Sequence, residues 1–147
     1  MAHFTSHSEQ ETLEIAKNVA FRLRGGEVVL LEGALGTGKT VFVKGLAAGI
    51  GIKDTIQSPT FVLMKVYERV LTQSRGIKYL VHIDTYRIQN AHQLISIGVL
   101  DYIGKPDTVV AIEWPEKMVH LLVEDIKTIK VILNHGKQKG DRQLEIL

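Results

Sequence analysis

The segment GALGTGKT, residues 33 to 40, constrains this chain more than any other. Gly33, four intervening residues and then Gly38-Lys39-Thr40 reproduce the full phosphate-loop spacing. Glycines at those positions let successive backbone N–H groups turn inward on an anion, and a following helix directs its positive end at the same point. Such a loop needs a strand before it and a helix after it, and both flanks comply. EVVLLEG (27–33) is a β-branched and leucine run with little alternation, as suits a strand buried on both faces. TVFVKGLAAGIGI (40–52) carries Val41, Val43, Leu46, Ala47 and Ile50 on a helical period, with Gly49 and Gly51 read as exits. The expectation is nucleotide binding, with Lys39 neutralising the β and γ phosphates and Thr40 offering its hydroxyl to Mg²⁺. Thr37 and Ala34 are small residues at variable positions that keep the loop open.

The remaining segments predict one α/β domain over 1–147 with a mixed, partly parallel sheet. Leu13, Ala16, Val19, Ala20 and Leu23 recur at helical spacing between Glu9 and Leu23, ahead of Gly25-Gly26. TFVLMKVYERV (60–70) and KYLVHIDTY (78–86) read as two strands, antiparallel because the connection around LTQSRG is short. NAHQLISIGVLDYIG (90–104) is helical, DTVVAIEWP (107–115) is a buried strand closed by Pro115, and 126–147 is a terminal hairpin. A chain of 147 residues can bury about two-thirds of its unfolded surface without disulfides. It contains no cysteine, which excludes thiol nucleophiles and thiolate metal sites. The opening MAHFTSHSEQ is too polar for an export segment, and runs such as Val28–Leu31 fall short of the roughly 20 apolar residues of a membrane helix, so a soluble cytoplasmic protein is expected. With 18 basic and 16 acidic residues, charge alone does not predict nucleic-acid binding. HGKQKGDR (135–142) is locally basic; a solvated hairpin turn is favoured over a phosphate contact.

A metal-dependent nucleotide site also needs carboxylates, which α/β folds place at the carboxyl ends of strands. YLVHID ends at Asp84 and VVAIE ends at Glu113. Either could cap a turn or meet a lysine, but two in a chain with a phosphate loop point to one holding Mg²⁺ and one orienting the attacking water. QSPTF (57–61) sets Ser58 and Thr60 around Pro59, where hydroxyls could sense a γ-phosphate; an ordinary loop-to-strand transition accounts for it equally well. His82 shares a strand face with Asp84 and could support it, although a packed histidine is the commoner role. Arg87 could steady phosphate charge or form a surface ion pair. Trp114, the only tryptophan, commonly would fill a core; between Glu113 and Pro115 it is expected to line the site or a partner surface.

Taken in order, GALGTGKT, SPTF, HIDTYR, GVLDYI and IEWPEK resemble the bacterial TsaE (YjeE) family, a small ATPase of tRNA threonylcarbamoyladenosine synthesis. The resemblance spans nearly the whole chain and implies a three-layer P-loop NTPase-like fold that binds ATP or ADP with Mg²⁺. By motif, it implies that Gly33 and Leu35, Gly36, Thr37, Gly38, Lys39 and Thr40 hold phosphates. It assigns magnesium to Thr40 and Glu113, and makes Asp84, with Lys39, catalytic. Ser58, Thr60 and Trp114 would complete the nucleotide site, and Thr12 falls near where family members touch the base. The implied partners are TsaD and TsaB, with tRNA reached through that complex and neither membrane nor DNA involved. Weak intrinsic ATPase, raised by those partners, is the expected activity; a small-molecule kinase and a non-hydrolysing nucleotide switch are the alternatives. The family commonly reads Gly-Asp-Leu-Gly at the start of the loop, where this chain has Ala34.

Overall fold

The computed structural model describes residues 1–59, 61–70 and 76–147. Its strands are β1 (Ala2–Ser6), β2 (Val28–Glu32), β3 (Met64–Glu68), β4 (Tyr79–Asp84), β5 (Thr108–Glu113), β6 (Thr128–His135) and β7 (Arg142–Ile146). They form one sheet in the order β1-β7-β6-β2-β5-β4-β3. The inner strands β6, β2, β5 and β4 run parallel, while β3 and β7 pair antiparallel at their outer sides and β1 pairs antiparallel with β7. The helices are α1 (Glu9–Ala20), α2 (Lys39–Ile50) and α3 (Ala91–Ser96), with 3₁₀ turns at Val99–Asp101, Pro115–Lys117 and Val119–Leu121. No helix among the described residues is long and apolar enough to cross a membrane.

Side-chain alternation divides the core between the two sheet faces. Val29, Leu31, Leu80, Val109 and Ala111 pack with Phe42, Leu46 and Ala16 beneath α1 and α2. Val28, Leu30, Val81, Val110 and Ile112 pack with Leu94, Val99 and Met118 on the opposite face. Covering both faces explains why β2 and β5 read as continuous apolar runs: every residue of β5 is buried. The outcome is the mixed α/β sheet that the sequence predicts.

Several boundaries differ from the sequence reading for local reasons. Helix α1 ends at Ala20, and Leu23 is reached through i−3 turns, Arg22 N–H to Val19 O and Leu23 N–H to Ala20 O, yet remains buried. The segment after α3 breaks at Gly98, whose φ of 85° takes it out of the helix. The strand expected over 60–70 is confined to Met64–Glu68; Leu63 N–H closes a turn on Pro59 O at 2.8 Å and Leu63 itself has φ 65°. The connection at 71–75 lies outside the described residues, but β3 and β4 pair antiparallel as expected. Strand β1 was not predicted, because its polar, mostly exposed residues carry no period and only the ladder to β7 orders them.

Gly49 is not an exit from α2. A Cβ there would stand 2.5 Å from Ala20 Cβ and 2.8 Å from Lys17 O, so Gly49 is a contact point between α2 and α1; the true exit is Gly51, with φ 96°. Gly45 makes the same contact one turn earlier, where a Cβ would lie 2.4 Å from Leu13 O and 2.5 Å from Ala16 Cβ. Gly45→Ala would gain about 1 kcal/mol of helix propensity. Separating two packed helix backbones costs about 1–3 kcal/mol, and backbone cannot move aside as a flexible side chain can. We expect net destabilisation, read as a lower urea midpoint at unchanged slope; a raised midpoint would show that the helices separate freely.

Candidate nucleotide-binding site

The loop between β2 and α2 is shaped by close approach to β6. Gly33 has φ 149°, and a Cβ on it would meet Leu133 O at 2.3 Å, so only glycine fits. Gly36 and Gly38 also have positive φ, 75° and 99°. Thr37 Oγ1 donates to Ala34 O at 2.8 Å, closing the loop on itself. Gly38 provides no side-chain cap for α2, so the first helical N–H groups are left available to an anion. Lys39 folds back across the loop, donating from Nζ to Gly33 O at 2.7 Å and Ala34 O at 2.8 Å, with its ammonium 4.1 Å from the centre of the Trp114 ring. Burial lowers the Lys39 pKa, against the opposing charges of Glu113, Asp84 and Glu116. An anionic phosphate in the loop would favour the charged ammonium.

Both predicted carboxylates reach the site from adjacent parallel strands, where Asp84 and Glu113 are register partners. Glu113 Oε1 accepts from Thr40 Oγ1 at 2.8 Å and from His82 Nε2 at 2.8 Å. Asp84 has separate donors: Ser58 Oγ to Oδ2 at 3.1 Å and Tyr86 N–H to Oδ1 at 2.9 Å. His82 therefore supports Glu113, not its same-strand neighbour Asp84. Beyond β5 the chain turns through Trp114, a non-glycine residue at φ 58°. Thr85 Oγ1 spans this turn, bonding Glu113 O and Trp114 O, and the Tyr86 and Trp114 rings lie 4.9 Å apart. A left-handed tryptophan held this way is the kind of backbone strain that clusters at functional sites.

These groups open on a cavity of 520 Å³, within the range of small-molecule sites. Leu35, Gly36, Gly38, Lys39 and Thr40 line it from the loop and the start of α2, Asp84, Glu113 and Trp114 from the strand ends, and Ser58 from the connection between α2 and β3; Thr12 lines it from α1. Gly33 and Thr37 build the loop from behind, Thr37 being buried. Thr60 lies outside the described residues. Tyr86 and Arg87 also line the cavity, the Arg87 guanidinium sitting 5.2 Å from the centre of the Phe61 ring.

Sequence reasoning missed Glu9, Gly140 and the cavity-facing position of Arg142. HGKQKGDR does make a hairpin connection, but β6 lies parallel beside β2, so its far end emerges next to the phosphate loop. Gly36 is within 4.0 Å of His135 Cε1, and Gly38 within 3.7 Å of Arg142 Nε, both measured from a Cβ placed on the glycine. No local signal in the sequence carries that placement.

An exposed ion pair joins the two chain segments flanking this side of the cavity. His7 Nδ1 lies 2.9 Å from Asp141 Oδ1, raising the His7 pKa above its ordinary 6.5 and lowering that of Asp141 below 3.8, chiefly through the hydrogen bond they share. Its contribution is fully present between those two ordinary values. It is lost as pH rises through the raised His7 pKa, and again as pH falls through the lowered Asp141 pKa. His7→Ala should therefore lower Tm relative to the native chain near pH 5, with the difference shrinking as pH rises through the raised His7 pKa. A difference independent of pH would remove the ion pair as its cause.

Ala34 is exposed, and only its carbonyl is engaged, by Lys39 and Thr37. Ala34→Asp should thus change folding stability by less than about 0.5 kcal/mol in denaturant unfolding. A larger loss would mean that the side-chain position is packed.

Comparison with known proteins agrees with this geometry. The family model described as threonylcarbamoyl adenosine biosynthesis protein TsaE matches residues 6–144. The chain is 40% identical over 135 residues to the tRNA threonylcarbamoyladenosine biosynthesis protein TsaE of Treponema pallidum, covering 91% of this chain and 94% of that one. It is 34% identical over 139 residues to the protein of the same name from Bacillus subtilis, covering 93% and 78%. The crystal structure of Bacillus subtilis YdiB superimposes with a TM-score of 0.71 at 27% identity, over 97% of this chain and 82% of that one. A family-model match along almost the whole length, together with a relative 40% identical over most of both chains, means that this chain belongs to the TsaE family.

Proposed function

We propose that residues 1–147 act as one P-loop ATPase domain that binds ATP or ADP with Mg²⁺ in the cytoplasm and supports tRNA threonylcarbamoyladenosine synthesis. The observation that carries this reading is the 2.8 Å contact between Thr40 Oγ1 and Glu113 Oε1, with Asp84 in register beside it. A hydroxyl and a carboxylate at the mouth of a phosphate loop are hard oxygen donors. Among the described residues no group of three or more His, Cys, Asp or Glu side chains could enclose a metal. That suits Mg²⁺, which keeps several waters and is held by one or two carboxylates together with phosphate oxygens.

In this reading the backbone N–H groups of Leu35 to Thr40 cradle the phosphates, and Lys39 exchanges its carbonyl partners for β and γ oxygens. Thr40 and Glu113 would hold the magnesium, which would supply positive charge at those oxygens. Asp84 orients the attacking water and takes its proton as the oxygen bonds to the γ-phosphorus and ADP leaves. Ser58 and the Tyr86 N–H fix the Asp84 carboxylate for that role. Thr12 lies against the nucleoside, and Trp114 closes the phosphate end over Lys39. The relatives are named for threonylcarbamoyladenosine biosynthesis; the proposed partners are TsaD and TsaB, which raise a weak intrinsic turnover and bring the tRNA.

Asp84→Ala should retain ADP while phosphate release, assayed with TsaD and TsaB present, falls about a hundredfold or more, the usual worth of a positioned general base. Thr40→Ala and Glu113→Ala should weaken nucleotide binding only when magnesium is supplied. Undiminished release by Asp84→Ala removes that residue from the chemistry. Phosphate release unaffected by TsaD and TsaB would favour a kinase or a simple nucleotide switch.

A further inference from the structure

We infer that His82 is the positioning residue that commits Glu113, and not Asp84, to the metal. This rests on the magnesium site proposed above. His82 is completely buried, and its Nε2 stands 2.8 Å from Glu113 Oε1 across the strand boundary. A carboxylate offers only lone pairs, so Nε2 carries the hydrogen and donates.

The sheet register makes this contact possible. His82, Asp84, Ala111 and Glu113 alternate onto one face, the face covered by α2. The partner directly beside His82 is Ala111, and that small side chain leaves room for the imidazole to lean along the strands toward Glu113. A diagonal neighbour at that spacing is within reach of a long side chain. Asp84, two residues along its own strand, is turned instead toward Ser58 Oγ and Tyr86 N–H. Two carboxylates in register at the end of a parallel sheet would otherwise compete for the same donors. His82 separates their tasks by fixing one Glu113 oxygen beside Thr40.

The other ring nitrogen, Nδ1, is buried and has no hydrogen-bond partner among the described residues. Leaving a buried polar atom unpaired costs free energy. Packing alone would be served better by leucine. Among the described residues, the one hydrogen bond made by the His82 ring is to the proposed magnesium ligand.

The experiment measures ADP affinity by calorimetry, with EDTA and across a magnesium titration, for native protein, His82→Leu and His82→Gln. The Gln amide nitrogen reproduces the reach of Nε2. Partners of metal ligands are typically worth about ten- to a hundredfold in metal affinity. For His82→Leu we expect unchanged ADP affinity in EDTA and a magnesium requirement raised about tenfold or more, with His82→Gln restoring most of the loss. The Glu113→Gln background should show little further effect of His82→Leu, as two members of one unit behave. A native-like magnesium titration in His82→Leu overturns the inference, and so does equal impairment of the leucine and glutamine variants. Where leucine does not fold, His82→Asn takes its place, since its amide stops at the Nδ1 position and cannot reach Glu113. Native protein that binds ADP without regard to magnesium would overturn the metal site itself, and His82 with it.

Discussion

The site depends on β2 lying between β5 and β6 with all three strands parallel. That arrangement brings three carboxyl-terminal strand ends to one edge of the sheet. From β2 it projects the phosphate loop, from β5 Glu113 and Trp114, and from β6 the hairpin that carries Gly140 and Arg142. The approach is so close that Gly33 touches the backbone of Leu133. Parallel strands of this kind are stable because helices bury both faces, so the core that holds the sheet also sets the register of the polar groups. A shift of one residue in β5 would send Glu113 to the opposite face, away from Thr40.

Around that edge, polar groups are buried in a manner that stability alone would not select. Glu113 is almost inaccessible, as are His82 and Thr85. Removing one partner from a buried charged pair typically costs about 3–5 kcal/mol, since the remaining charge is left without compensation. The donors around Glu113 and Asp84 therefore keep folding compatible with a site made of carboxylates. Lys39 shows the same logic with opposite sign. Burial lowers its pKa, and the Gly33 and Ala34 carbonyls together with the Trp114 ring surround its ammonium. A phosphate in the loop would compete for a cation that already has partners. Trp114 in turn contacts the half-exposed Tyr86 ring.

Much of this was legible along the chain because the governing interactions are local. The loop spacing, the apolar runs of β2 and β5 and the helical period of α2 each follow from neighbours in sequence. Asp84 and Glu113 were recognisable because a carboxylate that ends a buried strand needs a partner. The misreadings were equally physical. Gly49 looked like a helix exit because glycine usually is one, whereas here the approach of α1 requires it. Strand β1 has no internal pattern, and Arg142 sits in a segment for which a solvated hairpin was favoured over a phosphate contact. Strand alternation offered Asp84 as a possible partner for His82 beside the commoner packed role, whereas its bond crosses to Glu113 on the next strand.

Sequence alone determined the chemistry available: a loop able to hold phosphate, two strand-end carboxylates, a hydroxyl at the end of the loop and no thiol. It also determined the family, through motifs spread in order over nearly the whole chain. Tertiary structure decided how those groups divide the work. It set Glu113 against Thr40 and His82, gave Asp84 to Ser58 and the Tyr86 N–H, and brought Arg142 beside Gly38. Periodicity shows which face of a strand a residue occupies, but the partner across that face is fixed by strand order and register. Those come from packing helices against both sides of the sheet, a property of the whole chain and not of any segment within it.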